Sequence, residues 1–402
     1  MTPQYSVLLS LIISLLVVSW IHPRLVKIAL LKNLVDNPDS RKLQRQPVPV
    51  LGGIAVFFGI VIGYGSVCGM VNYAGMLIVI MAMMVMLYIG TMDDILSLSP
   101  ALRFAVEFFV ALLLIFNGGY LLDDFHGLWG VGMLPDWMAV PLTVVAVVGI
   151  INAINLIDGV NGLSSGYCIT ACTMFGTLFY LSGDMKMTIL AAVSVGALIP
   201  FFLHNVFGKT SKMFIGDGGT LVMGVVITVF VIETLRSGSS CGAYVEPRVG
   251  LVPFSLAVLC IPVFDTLRVM FSRILRGVSP FRPDKTHLHH MFINLGCSHA
   301  AVTLAIVALN TSVVLCWWGV DEIGGFDRRA ALCRCRHGLS GHVRALSLHG
   351  VAFAQEHFFP AGGPPPRLPD PCQPAGRFSA DAALSRPALE MPGFTNNHHQ
   401  RE

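Results

Sequence analysis

The chain has 402 residues, 54% of them hydrophobic and only 12% charged, with a formal net charge of +3 and a mean hydropathy of +0.71. A soluble domain carries nearer a quarter of charged residues, so this composition excludes an ordinary water-soluble globule and points to a chain that folds in lipid. The ten cysteines form no pair at metal-binding spacing and no secreted disulfide framework.

Apolar stretches recur at about residues 5–21, 50–70, 74–92, 104–116, 138–154, 163–181, 188–206, 219–235, 249–264 and 300–318. They predict an all-α polytopic membrane protein of about ten transmembrane helices, since a run such as 74–92 crosses the ~30 Å hydrocarbon core at about 1.5 Å rise per residue. No Lys or Arg precedes the first stretch and no small-residue cleavage site follows it before the basic segment, so a retained helix is expected there rather than a signal peptide. If that helix runs outside to inside, the inner connections 22–49, 93–103, 207–218 and 265–299 hold fourteen Lys and Arg residues. The outer ones hold three, Lys186, Arg236 and Arg248. This bias places the N-terminus outside and the polar motifs at the cytoplasmic face.

Five motifs gather on the basic face. The first is "DNPDSRKLQRQPVPVLGG" at 36–53. The second, "DDILSLSPALR", puts Asp93 and Asp94 side by side at the end of an apolar run, with Arg103 nine residues on. The outer connection 117–137 also carries an acidic pair, Asp123 and Asp124, so adjacency alone proves nothing. In "INAINLIDGVNGL", Asn152, Asn155 and Asp158 recur every third residue and share a helix face, which should look into protein or a water-filled cavity. Either an interhelical hydrogen-bond network or a binding pocket accounts for that stripe. "GKTSKMFIGDGGT" carries Lys212 and Asp217 among glycines that let backbone N–H groups approach an anion at a helix start, although Asp-Gly is also a common turn. "SPFRPDKTHLHH" supplies Arg282, His287, His289 and His290, for which donor contact with a pyrophosphate fits better than zinc ligation, no Cys being near. Asp265 and Arg268, at i and i+3, read as a helix-end ion pair.

Carboxylates, amides, cations and imidazoles at one membrane surface suggest phosphate and metal chemistry. Two phosphate groups brought together repel by about 4 kcal/mol for each pair of unit charges ~4 Å apart at an effective dielectric of ~20. A cation must intervene, and Mg²⁺ takes one or two carboxylates from protein and the rest from phosphate and water. Asp93, Asp94, Asp158 and Asp217 are the candidate oxygens.

With these motifs in order, roughly residues 5–318 resemble the polyprenyl-phosphate N-acetylhexosamine-1-phosphate transferase family, in its N-acetylglucosamine branch. The resemblance implies a multi-pass enzyme of the bacterial inner membrane in which undecaprenyl phosphate attacks the β-phosphorus of a UDP-N-acetylhexosamine and UMP leaves. It implies Asp93, Asp94 and Asp158 as catalytic residues, and Asp217 as the principal Mg²⁺ ligand with Asp94 and Asp158, Mn²⁺ being the substitute ion. It further implies Arg103, Asn155, His287, His289 and His290 as substrate contacts, to which the motifs themselves add Asn152, Lys212 and Arg282. The bilayer is the expected partner, a homodimer is compatible, and nucleic acid is not expected. Many relatives have a second acid where "DGVNG" has Asn161, so that acid's role does not carry over. Two rivals remain: a phospho-MurNAc-pentapeptide transferase, whose histidine motif has a different surround, and a transporter, whose sites would lie at the membrane midplane.

Residues 320–402 differ from the body. All nine of their basic residues are Arg, whereas the first 319 residues have seven Lys and ten Arg, and "AGGPPPRLPDPCQPAG" cannot hold a helix. The expected organisation is a multi-span transferase domain over 1–319 and an aberrant, disordered tail over 320–402.

Overall fold

The computed structural model describes residues 3–36, 47–67, 75–208, 210–244, 250–281 and 285–322. The tail beyond Glu322, residues 37–46 of the first motif, and Arg282 lie outside the described residues.

The chain opens with α1 (Pro3–Leu31), which runs on past its apolar stretch into the basic segment, and then a two-residue strand pair, β1 (Val35–Asp36) with β2 (Val48–Pro49), antiparallel. Three helices follow: α2 (Gly52–Gly65), α3 (Met76–Leu96) and α4 (Pro100–Phe116). A short antiparallel hairpin, β3 (Asp124–Leu128) and β4 (Val131–Met133), separates them from α5 (Asp136–Leu156), α6 (Leu163–Ser182), α7 (Met185–Phe207) and α8 (Gly216–Leu235). The short α9 (Ser240–Tyr244), α10 (Leu251–Val258), α11 (Cys260–Leu275), α12 (Leu288–Asn294) and α13 (His299–Glu322) complete the order.

Each of the ten apolar stretches is helical over most of its described residues, the ninth being divided between α10 and α11. Among the described residues six helices, α1, α3, α5, α7, α8 and α13, are by themselves long and apolar enough to cross a membrane. The pair α10 and α11 makes a seventh if it is one span bent by 72°. A break at membrane depth leaves backbone groups without helical partners, and these must be satisfied within the protein. Asn310 of α13 does this: its Oδ1 accepts the Ile261 N–H at 3.2 Å and its Nδ2 donates to the Val258 carbonyl at 3.1 Å, which the Tyr167 hydroxyl also reaches at 2.9 Å.

A helix apolar on every side belongs inside the bundle. In α8 every residue except Asp217 is buried, and the helix packs against α2, α3 and α5 while α1 packs on α2 and α7. The outward faces of α1 and α4 carry exposed Leu8, Ile12, Leu16, Phe108 and Phe109, as lipid-facing surfaces do. The chain thus builds a multi-pass membrane bundle around α8.

Candidate functional site

The N-termini of α2, α4, α6, α8 and α13 and the C-termini of α1, α3, α5 and α7 meet at one end of the bundle. A cavity of about 740 Å³ opens there, lined by residues from all five motifs: Val50 and Asp36 from the first, Asp94, then Asp158 and Asn161, Lys212 and Asp217, and His290. His299, the first residue of α13, also lines it.

The acids are held differently. Asp93 accepts the Leu98 N–H at 2.7 Å, which closes the turn after α3, where Ser97 takes a left-handed φ of 52°. Its other oxygen lies 3.4 Å from Arg103 Nη1. Asp94 accepts the N–H groups of Asp217 at 3.1 Å and Gly218 at 3.3 Å, so its carboxylate caps the start of α8 and meets the positive end of that helix. Asp217 accepts from Arg103 Nη1 at 2.9 Å on one oxygen and from Asn155 Nδ2 at 2.9 Å on the other. Asn155 Nδ2 also donates to Thr220 Oγ1 at 2.8 Å. Asp158, just beyond α5, accepts the Ser164 hydroxyl at 2.5 Å and is open to the cavity. Protein crowded around part of its carboxyl thins its hydration and, with the nearby Asp217 charge adding to it, pushes its pKa up to about 6, against the pull of Ser164.

The glycines turn the chain and bring backbone N–H groups to an anion, as expected, but the anion is a protein carboxylate: the N–H groups of Asp217 and Gly218 are taken by Asp94, after Gly216 at a left-handed φ of 68°. Other glycines serve close packing. A Cβ on Gly53 would stand 2.2 Å from the Gly219 nitrogen, and one on Gly90 would stand 2.6 Å from Gly218 Cα. Backbones of α2 and α3 therefore touch the first turn of α8, which is what brings Asp94 within reach of it.

The histidine segment is fixed from α11. Asp265, buried with 8% exposure, accepts the Leu288 N–H at 3.2 and 3.1 Å, contacts His287 Nδ1 at 2.9 Å, and pairs with Arg268 at 2.7 Å. The expected Asp265–Arg268 ion pair is present, but Asp265 also caps α12. His289 wedges against Gly159, where a Cβ would lie 2.1 Å from its Nε2. Burial, then the neighbouring His290 and His287, push its pKa down to about 3.

Of the expected residues, Asp94, Asp158, Asp217, Lys212 and His290 line the cavity. Asp93, Arg103, Asn152 and Asn155 stand behind it in the carboxylate network, and His287 and His289 stand behind it in α12 and its cap. Arg103 is thus engaged with acids, and the asparagine stripe forms interhelical bonds. Burial lowers the Lys212 pKa, so its ammonium is the more readily neutralised. Sequence reasoning missed Glu107, Ser164, Asp265 in its capping role, and His299, whose Nδ1 accepts the Asn161 N–H at 3.3 Å. The signal for Glu107 was a lone acid four residues after Arg103 within an apolar run.

Among the described residues no three His, Cys, Asp or Glu side chains are drawn together as a ready-made metal cage. Mg²⁺ does not need one: it binds through one or two carboxylates plus substrate phosphates and water. Carboxylates lining the cavity, hard oxygen donors, fit that ion.

The family model described as glycosyl transferase family 4 matches residues 76–235. The chain is 31% identical over 305 residues to a Bacillus subtilis protein named "Probable undecaprenyl-phosphate N-acetylglucosaminyl 1-phosphate transferase", covering 75% of this chain and 81% of that one. It is 28% identical over 298 residues to the undecaprenyl-phosphate alpha-N-acetylglucosaminyl 1-phosphate transferase of Escherichia coli K12, covering 72% and 78%. The protein of that name from Haemophilus influenzae is 28% identical over 278 residues, covering 68% and 75%.

Proposed function

The chain belongs to glycosyl transferase family 4, and from that premise we propose that it transfers N-acetylglucosamine 1-phosphate from UDP-N-acetylglucosamine to undecaprenyl phosphate. UMP leaves, and the lipid-diphospho-sugar is the first membrane-bound intermediate of a cell-surface polysaccharide. The carrying observation is that five segments far apart in sequence close one cavity, with Asp94, Asp158 and Asp217 on its wall together with Lys212 and His290. Its volume of about 740 Å³ suits a nucleotide-sugar-sized ligand.

In this reading an oxygen of the lipid phosphate attacks the β-phosphorus of the UDP-sugar, the bond from that phosphorus to the bridging oxygen breaks, and the bridging oxygen departs on UMP. Asp217 and Asp94 would hold Mg²⁺, whose charge would offset that of the two phosphate esters. Asp158, open to the cavity and with a raised pKa near operating pH, takes the proton of the lipid phosphate monoanion. Asp93 with Arg103, and Asn152 and Asn155 behind them, keep the carboxylates aimed. Lys212 and His290 donate to phosphate or sugar oxygens from the cavity wall. The chain crosses a bacterial inner membrane ten times with its N-terminus outside and this cavity on the cytoplasmic side. Supporting that orientation, the ends of successive long helices alternate between the cavity and the far end, and most of the basic residues belong to the cavity's connections.

The test is UMP release from purified protein given undecaprenyl phosphate and UDP-N-acetylglucosamine, UDP-N-acetylgalactosamine or UDP-MurNAc-pentapeptide, with Mg²⁺ or chelator. Release with UDP-N-acetylglucosamine and Mg²⁺ is the expected result. Release with the pentapeptide substrate alone, or with none of the three, overturns the reading.

A further inference from the structure

Glu107 lies inside α4 with 0% exposure, yet it is a carboxylate. Its Oε1 accepts from Arg103 Nε at 3.2 Å, one helical turn earlier on the same face, and its Oε2 accepts from Asn152 Nδ2 of α5. The same arginine extends Nη1 to Asp217 Oδ2 at 2.9 Å and to Asp93 Oδ2 at 3.4 Å. One guanidinium therefore bridges a buried acid on one edge and two acids at the cavity end on the other. A buried ion pair often adds no net stability over apolar packing, whereas removing one partner leaves an uncompensated buried charge. The planar guanidinium suits such bridging, because fixing Nε fixes the direction of Nη1.

We infer that Glu107 and Asn152 are positioning residues that act through Arg103: they hold its Nε edge so that a single guanidinium nitrogen, Nη1, reaches Asp217 and meets Oδ2 alone, leaving the remaining lone pairs of that carboxylate able to take a divalent cation. The inference rests on the reading of Asp217 as a metal ligand. Without the Glu107 charge, the arginine has only Asp217 and Asp93 to pair with, and it competes with the cation for Asp217. Apparent metal affinity then falls, although neither Glu107 nor Asn152 touches the ion. Asn152 anchors the far oxygen of Glu107, so its removal should act in the same direction and less.

The test is Mn²⁺ titration of the purified full-length protein without substrates, followed by electron paramagnetic resonance, beside the Mg²⁺ dependence of UMP release. Glu107→Gln keeps the shape and should raise the Mn²⁺ dissociation constant by about tenfold, in the range found when partners of metal ligands are altered. Asn152→Ala should raise it by about threefold. In an Arg103→Met background, Glu107→Gln should add less than about twofold, because the residue acts through the arginine. An unchanged dissociation constant in Glu107→Gln, an equal loss with and without Arg103, or no Mn²⁺ binding by the parent protein overturns the inference. If Glu107→Gln does not fold, Asn152→Ala with and without Arg103→Met decides it by the same criterion. Failure of the parent to release UMP would sink the proposed reaction, while the Mn²⁺ titration would still decide the role of Glu107.

Discussion

The bundle carries an adjacent aspartate pair at each end, and their surroundings give them opposite uses. At the far end Asp123 accepts the Ser237 N–H and hydroxyl, each at 2.6 Å, and Asp124 accepts the His126 N–H at 2.7 Å. Nearby, Glu233 pairs with Arg236 at 2.8 Å and lies 3.9 Å from Lys186. Those acids tie the hairpin and the loop after α8 together. At the cavity end Asp94 ties two helices as well, but its neighbours Asp158 and Asp217 reach one opening with it. The chemistry of a carboxylate pair is decided by what other segments bring to it.

Substitution of matched residues at the two ends sharpens that contrast. Asp217→Asn should lower UMP release by about a thousandfold or more, equivalent to ~4 kcal/mol of transition-state stabilisation. Asp123→Asn should leave turnover within about threefold and lower the melting temperature instead, because it weakens only the tie to Ser237. Comparable losses of turnover in the two variants would erase the distinction.

Glycines give the next largest contrast. A Cβ on Gly53 meets backbone of α8 at 2.2 Å, whereas one on Gly132 in the far hairpin meets nothing within 4 Å. Gly53→Ala should destabilise the protein by about 1–3 kcal/mol or prevent its accumulation, and Gly132→Ala should change thermal stability by less than about 0.5 kcal/mol. Asp265→Asn, which loosens the cap of α12 and the hold on His287, should lower UMP release by about tenfold while leaving Mn²⁺ binding intact.

The remaining contrast concerns acid. His289 has a folded pKa of about 3 against 6.5 unfolded, so below 6.5 the unfolded chain binds the extra proton and stability is lost as pH falls. Above 6.5 the contribution is fully present. Between pH 6.5 and 4 the loss amounts to about 3 kcal/mol at most, and thermal melts of His289→Asn should show a shallower decline over that window. An identical decline in the two proteins would assign it to other groups.

Helices were legible because apolar stretches are a direct consequence of lipid contact, and most described residues of every stretch are helical. The bend at Leu259 was not, since it depends on Asn310 and Tyr167 arriving from elsewhere to satisfy the freed backbone. In the same way Asp94, Asp158 and Asp217 could be picked out as acids where apolar runs end, and the cavity brings them together. Arg103 could be paired by spacing with Glu107, four residues on along the same helix face, but not with Asp217, which lies 114 residues away and becomes its neighbour only on folding. Histidines in "HLHH" looked equivalent, yet only His290 lines the cavity, because Asp265 and Gly159 hold the other two behind it.

Locating a bound Mn²⁺ by anomalous diffraction from crystals grown with undecaprenyl phosphate and a UDP-sugar tests the central claim most directly. The expected result is a single strong peak within bonding distance of Asp217 in the cavity and none beside Asp123 or Glu233. A peak confined to the far end, or none near Asp217 in crystals that hold both substrates, would contradict it.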